Sequence, residues 1–267
     1  MNLQLLEPVQ IILKMVEEKS GKRIAYVEKE FLNMQAKLRL AGRNSTEHQL
    51  LYRGEHDETI NYVIANQCGH ILRIIGADEA RRFFPVANNQ TMMQYVMDIQ
   101  REVQRLSSVL DEYHIKNLIA LWYKSIVFQL TKMPPDIQIE KWLYDEYPEL
   151  RTIQMKAIEE QLGSAVQGSA ESVRTAMPYK VYHVSNIMNY AFFKILEDHF
   201  CRDFVRPYYH TVFLFEGGKL ARITEREYVN THEGDIDMIN TWATHLDLTG
   251  WFEWKHYSDM PEDYILF

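Results

Sequence analysis

The sequence keeps a helical hydrophobic period for about a hundred residues, beginning at Asp57. Apolar side chains recur there every three to four positions, through Leu106, Leu121, Trp142 and Ile158, which is the spacing of one face of an α-helix. Residues that interrupt helices are scarce, because a chain of 267 residues contains only 11 glycines and 8 prolines. These features predict a helix-dominated α+β protein.

Composition and charge exclude several classes of protein. Apolar residues make up 46% of the chain and charged residues 25%, which is typical of globular proteins and not of disordered or fibrous ones. The formal net charge of −8 argues against direct binding of nucleic acid, and no apolar run is long enough to span a membrane. The two cysteines, Cys68 and Cys201, are too few for a disulfide framework. We therefore expect a cytoplasmic protein.

The chain divides into three predicted segments. Residues 1–162 are predicted to form one domain, and residues 180–267 an α+β C-terminal subdomain. Between them, residues 163–179 are rich in small and polar side chains and are predicted to be a linker. The apolar C-terminus, residues 264–267, is interpreted as a docking tail or as disordered.

Several further elements are predicted from local patterns. In the first segment they are a helix at 3–18 and short strands at 36–41 and 49–53. In the last segment they are a helix at 181–200, a β-hairpin at 211–224 that turns at Gly217-Gly218, a helix at 235–246 and a strand at 251–254.

The predicted helix at 57–76 carries the main functional signal. Its apolar face is made of isoleucine and valine, but Gln67 lies in the middle of that face. A buried amide without partners costs on the order of 1–3 kcal/mol, so we expect a polar group opposite Gln67. Asn66, His70 and Arg73 lie along one flank of the same face.

The spacing of these residues matches a known metal-binding arrangement. In the motif His-Glu-x-x-His, two histidines at i and i+4 bind zinc and the glutamate activates water. The corresponding residues here are Asn66-Gln67-Cys68-Gly69-His70. The second histidine is present, whereas amides replace the first histidine and the glutamate.

The stretch TINYVIANQCGHILR resembles the active-site helix of the ImmA/IrrE-like zincin metallopeptidases, whose typical sequence is close to VIAHELGHILR. The preceding QLLYRGE resembles the edge strand of that family, and MPPDIQIEKWLYDEYPELR resembles a second helix of related proteins, opened by Pro134-Pro135. The resemblance implies a zincin-like helical core with a short N-terminal β-sheet. It also implies Glu140 as the first choice, and Asp136 as the second, for the third metal ligand.

Asp136 and Glu140 are four residues apart and share a helix face, which is mildly unfavourable for two like charges. A shared partner is therefore expected, either a cation or an arginine such as Arg73 or Arg151. The alternative is that both carboxylates lie on a solvated helix face.

We interpret the chain as a zincin-like protein without peptidase activity, because a neutral amide is a poor zinc ligand and glutamine cannot accept a proton. On this interpretation Asn66, Gln67 and His70 are vestigial, no cofactor is needed, and a protein or peptide partner binds in the retained cleft. Relatives that act on DNA-binding repressors imply a role in regulation or defence.

Two alternatives stay open. One is an active zinc-dependent metallopeptidase with an altered site that uses His70 and Glu140, with Asp136 as a further candidate ligand. The other is a helical interaction module whose resemblance to zincins is accidental. The oligomeric state is left open.

Overall fold

The computed structural model describes residues 3–32, 34–106 and 112–260, and the predicted docking tail at 264–267 lies outside them. Helices dominate the described chain, as the scarcity of glycine and proline predicts. The α-helices are α1 (Glu7–Ser20), α2 (Ile60–Gly76), α3 (Asn89–Asp98), α4 (Gln100–Leu106), α5 (Glu112–Glu146), α6 (Arg151–Gly168), α7 (Glu171–Ala176), α8 (Tyr179–Phe200), α9 (Phe213–Glu227) and α10 (His232–His245). The strands are β1 (Arg23–Glu28), β2 (Ala36–Arg39), β3 (Glu47–Tyr52), β4 (Phe83–Val86) and β5 (Glu253–His256).

The N-terminal strands form a sheet of order β1-β3-β2. β3 pairs in parallel with β1 and antiparallel with β2, so that Leu50 faces both Tyr26 and Leu38. β3 is therefore the central strand, and the expectation that the strand before α2 lies at the sheet edge is wrong. The edge strand beside α2 is β2, whose alternate residues Ala36 and Leu38 are buried in the same core as that helix.

α5 joins the two hydrophobic cores of the described chain. Its first part, through Ile137, packs in a core with α8, α9 and α10, whereas Ile139 and Leu143 pack in a core with α1, α2 and the sheet. Pro134 and Pro135 lie inside this helix, so the expectation that they open a new helix is wrong. A proline removes one helical hydrogen bond, and the packing of α5 on both cores compensates for that loss.

The predicted linker is largely helical. Its first residues, through Gly168, complete α6, and Glu171–Ala176 form α7. Long-range pairing also ties the C-terminal part of the chain to the first segment, because β5 pairs antiparallel with β4 and places Trp254 opposite Pro85.

The prediction of a β-hairpin at 211–224 is wrong, because residues 213–224 lie in the helix α9. The buried residues Phe213, Gly217, Leu220, Ala221 and Thr224 follow helical spacing. The glycine pair makes no turn. Instead, it lets α9 approach α8 closely, since a Cβ on Gly217 would lie 2.6 Å from a ring carbon of Tyr190. No helix among the described residues is long and apolar enough to cross a membrane.

Candidate functional site

The polar residues that the sequence singles out on α2 and α5 meet in the interior, between these two helices. The side-chain amide of Asn66 donates to Asp136 Oδ1 at 3.1 Å and to Glu140 Oε1 at 2.9 Å. His70 Nε2 lies 2.7 Å from the same Asp136 oxygen. The shared partner of the two carboxylates is therefore Asn66, and the expectation that they lie on a solvated helix face is wrong, because Asp136 is 5% exposed and Glu140 1%.

Three residues that sequence reasoning missed complete this buried cluster. The Tyr62 hydroxyl donates to Glu140 Oε1 at 2.7 Å, and Gln154 Nε2 of α6 donates to Glu140 Oε2 at 2.7 Å. Lys132 Nζ lies 3.5 Å from Asp136 Oδ2. Tyr62 and Lys132 could have been found, since each is four residues before a cluster member on its own helix, but nothing local marks Gln154.

The close approach of α2 and α5 depends on the small residue in the motif. A Cβ on Gly69 would lie 2.6 Å from a side-chain carbon of Ile139. Gly69 therefore allows the two helix backbones to come close enough for Asn66 to bridge both carboxylates. The glycine at position 69 is therefore explained by the packing of α2 on α5, without any metal ion.

Burial and neighbouring charges give the carboxyl groups of Asp136 and Glu140 different pKa values. Burial, reinforced by the charge of Asp136, raises the pKa of Glu140 to about 7. Burial also opposes ionisation of Asp136, but Lys132 and His70 outweigh it and lower the pKa of that carboxyl. Burial lowers the pKa of His70, so near neutral pH the ring is uncharged and donates from Nε2 to an ionised Asp136.

The arginines expected to join the carboxylates do not do so. Arg73 binds Asp235 of α10 with two hydrogen bonds, Nε to Oδ2 at 2.7 Å and Nη2 to Oδ1 at 2.6 Å. Arg151 donates to the Tyr144 carbonyl oxygen and stacks over the Tyr144 ring. Lys132 is the cation that takes their place.

Gln67 differs from its neighbour Asn66. It is 3% exposed, and its Oε1 has no hydrogen-bond partner among the described residues. The sequence predicts a polar group opposite Gln67, but no described polar group forms a hydrogen bond with its Oε1. Only Asn66 of the amide pair takes part in the buried cluster.

The donor set does not fit zinc. Each oxygen of Asp136 and Glu140 already faces a donor from Tyr62, Asn66, His70, Lys132 or Gln154. In the part of the chain that the structure describes, no three His, Cys, Asp or Glu side chains are placed to bind one metal ion. His70, Asp136 and Glu140 do come together, as the metal alternative requires, but a neutral amide bridges the two carboxyl groups.

The cavity that borders His70 is small. A cavity of about 30 Å³ borders His70, Arg73 and His232, which is room for one or two water molecules. The buried His232 Nε2 lacks a partner among the described residues and lines this cavity. This space cannot admit a peptide to His70.

Comparison with family models, with curated proteins and with solved structures finds no match.

Proposed function

We propose that this chain is a catalytically inactive zincin-like protein that binds an extended protein or peptide segment at the edge of its N-terminal sheet. The observation that carries the inactive half of the proposal is the Asn66 bridge between Asp136 and Glu140. A neutral amide takes the place of a cation between the two carboxylates, and Gln67 supplies no general base beside it.

The free edge of β2 supports the binding half of the proposal. On one side β2 pairs with β3, and no described strand pairs with its other side. An exposed strand edge presents unpaired N–H and C=O groups, which an extended peptide can match by adding a strand. β2 also packs beside α2, so a segment bound there would run next to the helix that carries Asn66.

Charge near this edge favours an acidic partner. Lys37 and Arg39 lie on β2, on the face opposite the buried Ala36 and Leu38, and neither forms an ion pair with a described carboxylate. Burial, followed by the positive charges of Arg39 and Lys132, lowers the pKa of Lys37. Arg39 Nε is buried without a partner among the described residues. A carboxylate on a bound segment would neutralise this group of cations.

The regulatory or defence role implied by the resemblance is part of this proposal.

Zinc binding tests the inactive zincin-like scaffold. We expect the purified full-length protein to retain no stoichiometric zinc after incubation and desalting, and to hydrolyse no peptide. The variant Asn66→His/Gln67→Glu restores the motif, and we expect it to retain about one zinc ion per chain. The single variant Gln67→Glu is the control, because it keeps the amide at position 66. Zinc-dependent hydrolysis by the natural sequence would contradict inactivity, and a double variant that folds without binding zinc would contradict the zincin-like geometry.

Peptide selection tests the binding half. Peptides selected from a displayed random library should be acidic, and binding should slow amide hydrogen exchange in β2. The variant Lys37→Glu/Arg39→Glu should weaken binding at least tenfold, whereas Lys14→Glu on the exposed face of α1 should leave the affinity unchanged. Unchanged affinity in the β2 variant, or protection confined to another surface, would rule out this edge.

A further inference from the structure

A groove lies where α1, α2 and α5 meet, and its volume is about 250 Å³. Each of the three helices lines the groove with residues of one face, and the loop before α10 completes the lining. The lining residues are Met15 and Lys19 of α1, Gly69, Leu72 and Arg73 of α2, Gln138, Ile139 and Trp142 of α5, and Asn230 of the loop. None of them belongs to the N-terminal sheet.

The groove has an apolar surface large enough for a ring system. Met15, Leu72 and Trp142 are only half-buried, so each keeps apolar surface in contact with water. Covering such surface is favourable by roughly 25 cal/mol per Å². A dry cavity of about 150 Å³ is enough to hold benzene. A groove of about 250 Å³ therefore has room for one or two fused rings with a small polar substituent.

The polar side chains of the groove offer hydrogen-bond donors. Lys19 Nζ forms neither an ion pair nor a hydrogen bond within the described ranges, and the same part of the chain provides no hydrogen bond to the Gln138 amide. Asn230 Oδ1 accepts from Arg73 Nη1 at 2.6 Å, which orients the amide and leaves its Nδ2 without a described acceptor. These donors suit an acceptor group with more than one oxygen atom.

The charge balance of the groove suits a single negative charge. Arg73 is already neutralised by Asp235, so its guanidinium is not counted. None of the described residues that line the groove is acidic. Lys19 lies in the last turn of α1, whose helix end offsets roughly half of one positive charge. The part that remains matches a monoanion better than a dianion.

From the apolar lining, the volume and the donors without described acceptors, we infer that this groove binds a small aromatic carboxylate. The ring would cover Leu72 and Trp142, and the carboxylate would accept from Lys19 and Asn230. This inference depends neither on the edge of the sheet nor on the zincin-like scaffold.

Isothermal titration of the full chain with indole-3-acetate tests the groove. We expect saturable binding of one molecule per chain. Tryptamine has the same ring but a cationic end, and it should bind about tenfold more weakly or not at all. Acetate lacks the ring and should give no saturable binding. Equal affinity for indole-3-acetate and tryptamine, or no binding of indole-3-acetate, would overturn the inference.

Two variants locate the site. Lys19→Gln removes the cation, and we expect the affinity for indole-3-acetate to fall about tenfold. Lys14→Gln is the matched control, because Lys14 is an exposed cation of the same helix that lies 3.5 Å from Glu18 and does not line the groove. Its affinity should equal that of the unmodified protein. Equal losses in the two lysine variants would overturn the inference.

Leu72→Trp places a larger side chain in the groove and should abolish binding. Circular dichroism identifies a variant that fails to fold, and the exposed Lys19 then still provides the test. Sedimentation velocity of the unmodified protein examines the other occupant, a second copy of the chain. A dimer that Leu72→Trp dissociates would assign the groove to that contact and overturn the inference.

Discussion

At the residue scale, the two neighbouring amides of α2 have opposite energetic roles. Asn66 donates to two buried carboxylates, whereas Gln67 Oε1 has no described partner. The sequence could identify both as unusual, because each is an amide at a position where the motif His-Glu-x-x-His has a histidine or a glutamate. It could not tell them apart, since the partners of Asn66 lie 70 and 74 residues away.

Paired substitutions test this difference. Asn66→Ala leaves Asp136 and Glu140 close together without their shared donor, and we expect a loss of about 2–3 kcal/mol in the free energy of unfolding. Gln67→Leu removes a buried oxygen without a partner, and we expect no loss or a gain of up to about 1 kcal/mol. Urea denaturation of both variants measures the two values. Equal destabilisation by both would mean that Gln67 also holds the cluster together.

The pKa of Glu140 predicts a pH dependence. Its ordinary value is 4.5, and in the folded state it is raised to about 7. Between these values the folded state holds a proton that the unfolded state releases, so this group lowers stability as the pH rises through the window. Glu140→Gln removes this effect. The unfolding free energy of the variant minus that of the natural sequence should therefore increase by an amount on the order of 3 kcal/mol from pH 4.5 to pH 7.

Urea denaturation across that pH range measures the difference, and the buried histidines cancel because both proteins contain them. Glu149→Gln is the matched control, since Glu149 is exposed on the surface and lies outside the buried cluster. A constant difference between Glu140→Gln and the natural sequence would show that the carboxyl titrates near its ordinary value.

At the element scale, α9 shows how a local pattern misleads. Gly217-Gly218 between two apolar runs is a common signal for a hairpin turn, and the alternative is a helix whose glycine lies at a crossing with another helix. Local residues cannot choose between the two, because the deciding contact is with Tyr190 of α8. The helical spacing of the buried residues was present in the sequence but was outweighed by the turn signal.

The two glycines offer a matched test. Gly217→Ala places a Cβ 2.6 Å from the Tyr190 ring, so we expect a loss of at least 1–2 kcal/mol as α8 and α9 are forced apart. Gly218→Ala meets its nearest neighbour, Arg222 Nη1, at an ordinary 3.6 Å, and we expect a gain of up to about 1 kcal/mol from helix propensity. Thermal denaturation separates the two outcomes. If both substitutions destabilise equally, this segment is not the helix described.

At the scale of the whole molecule, contacts cross the predicted boundary at residue 162. β5 completes the sheet begun by β4, Asp235 pairs with Arg73, and α5 contributes side chains to both cores. The composition of residues 163–179 predicts a break, but composition reports only local preference and cannot reveal which distant surfaces an element covers.

A truncation tests how far the first segment depends on the rest. We expect a fragment of residues 1–162 to lack a cooperative unfolding transition, because it exposes the face of α5 that packs on α8 and leaves Arg73 without Asp235. Circular dichroism melting and amide dispersion in NMR spectra measure this. A fragment that melts cooperatively with dispersed amides would establish 1–162 as an independent domain.

The sequence by itself determined the helical character of the chain, the position of α2 and the candidates Asn66, His70, Asp136 and Glu140, because helical period and i, i+4 spacing are properties of neighbouring residues. Only the tertiary structure decided that one amide bridges both carboxylates, that Arg73 pairs with Asp235, that β2 is an edge strand beside α2 and that the glycine pair lies at a helix crossing. Each of these depends on a partner distant in the chain, and the free energy of such a contact is set by burial and geometry that no local pattern contains.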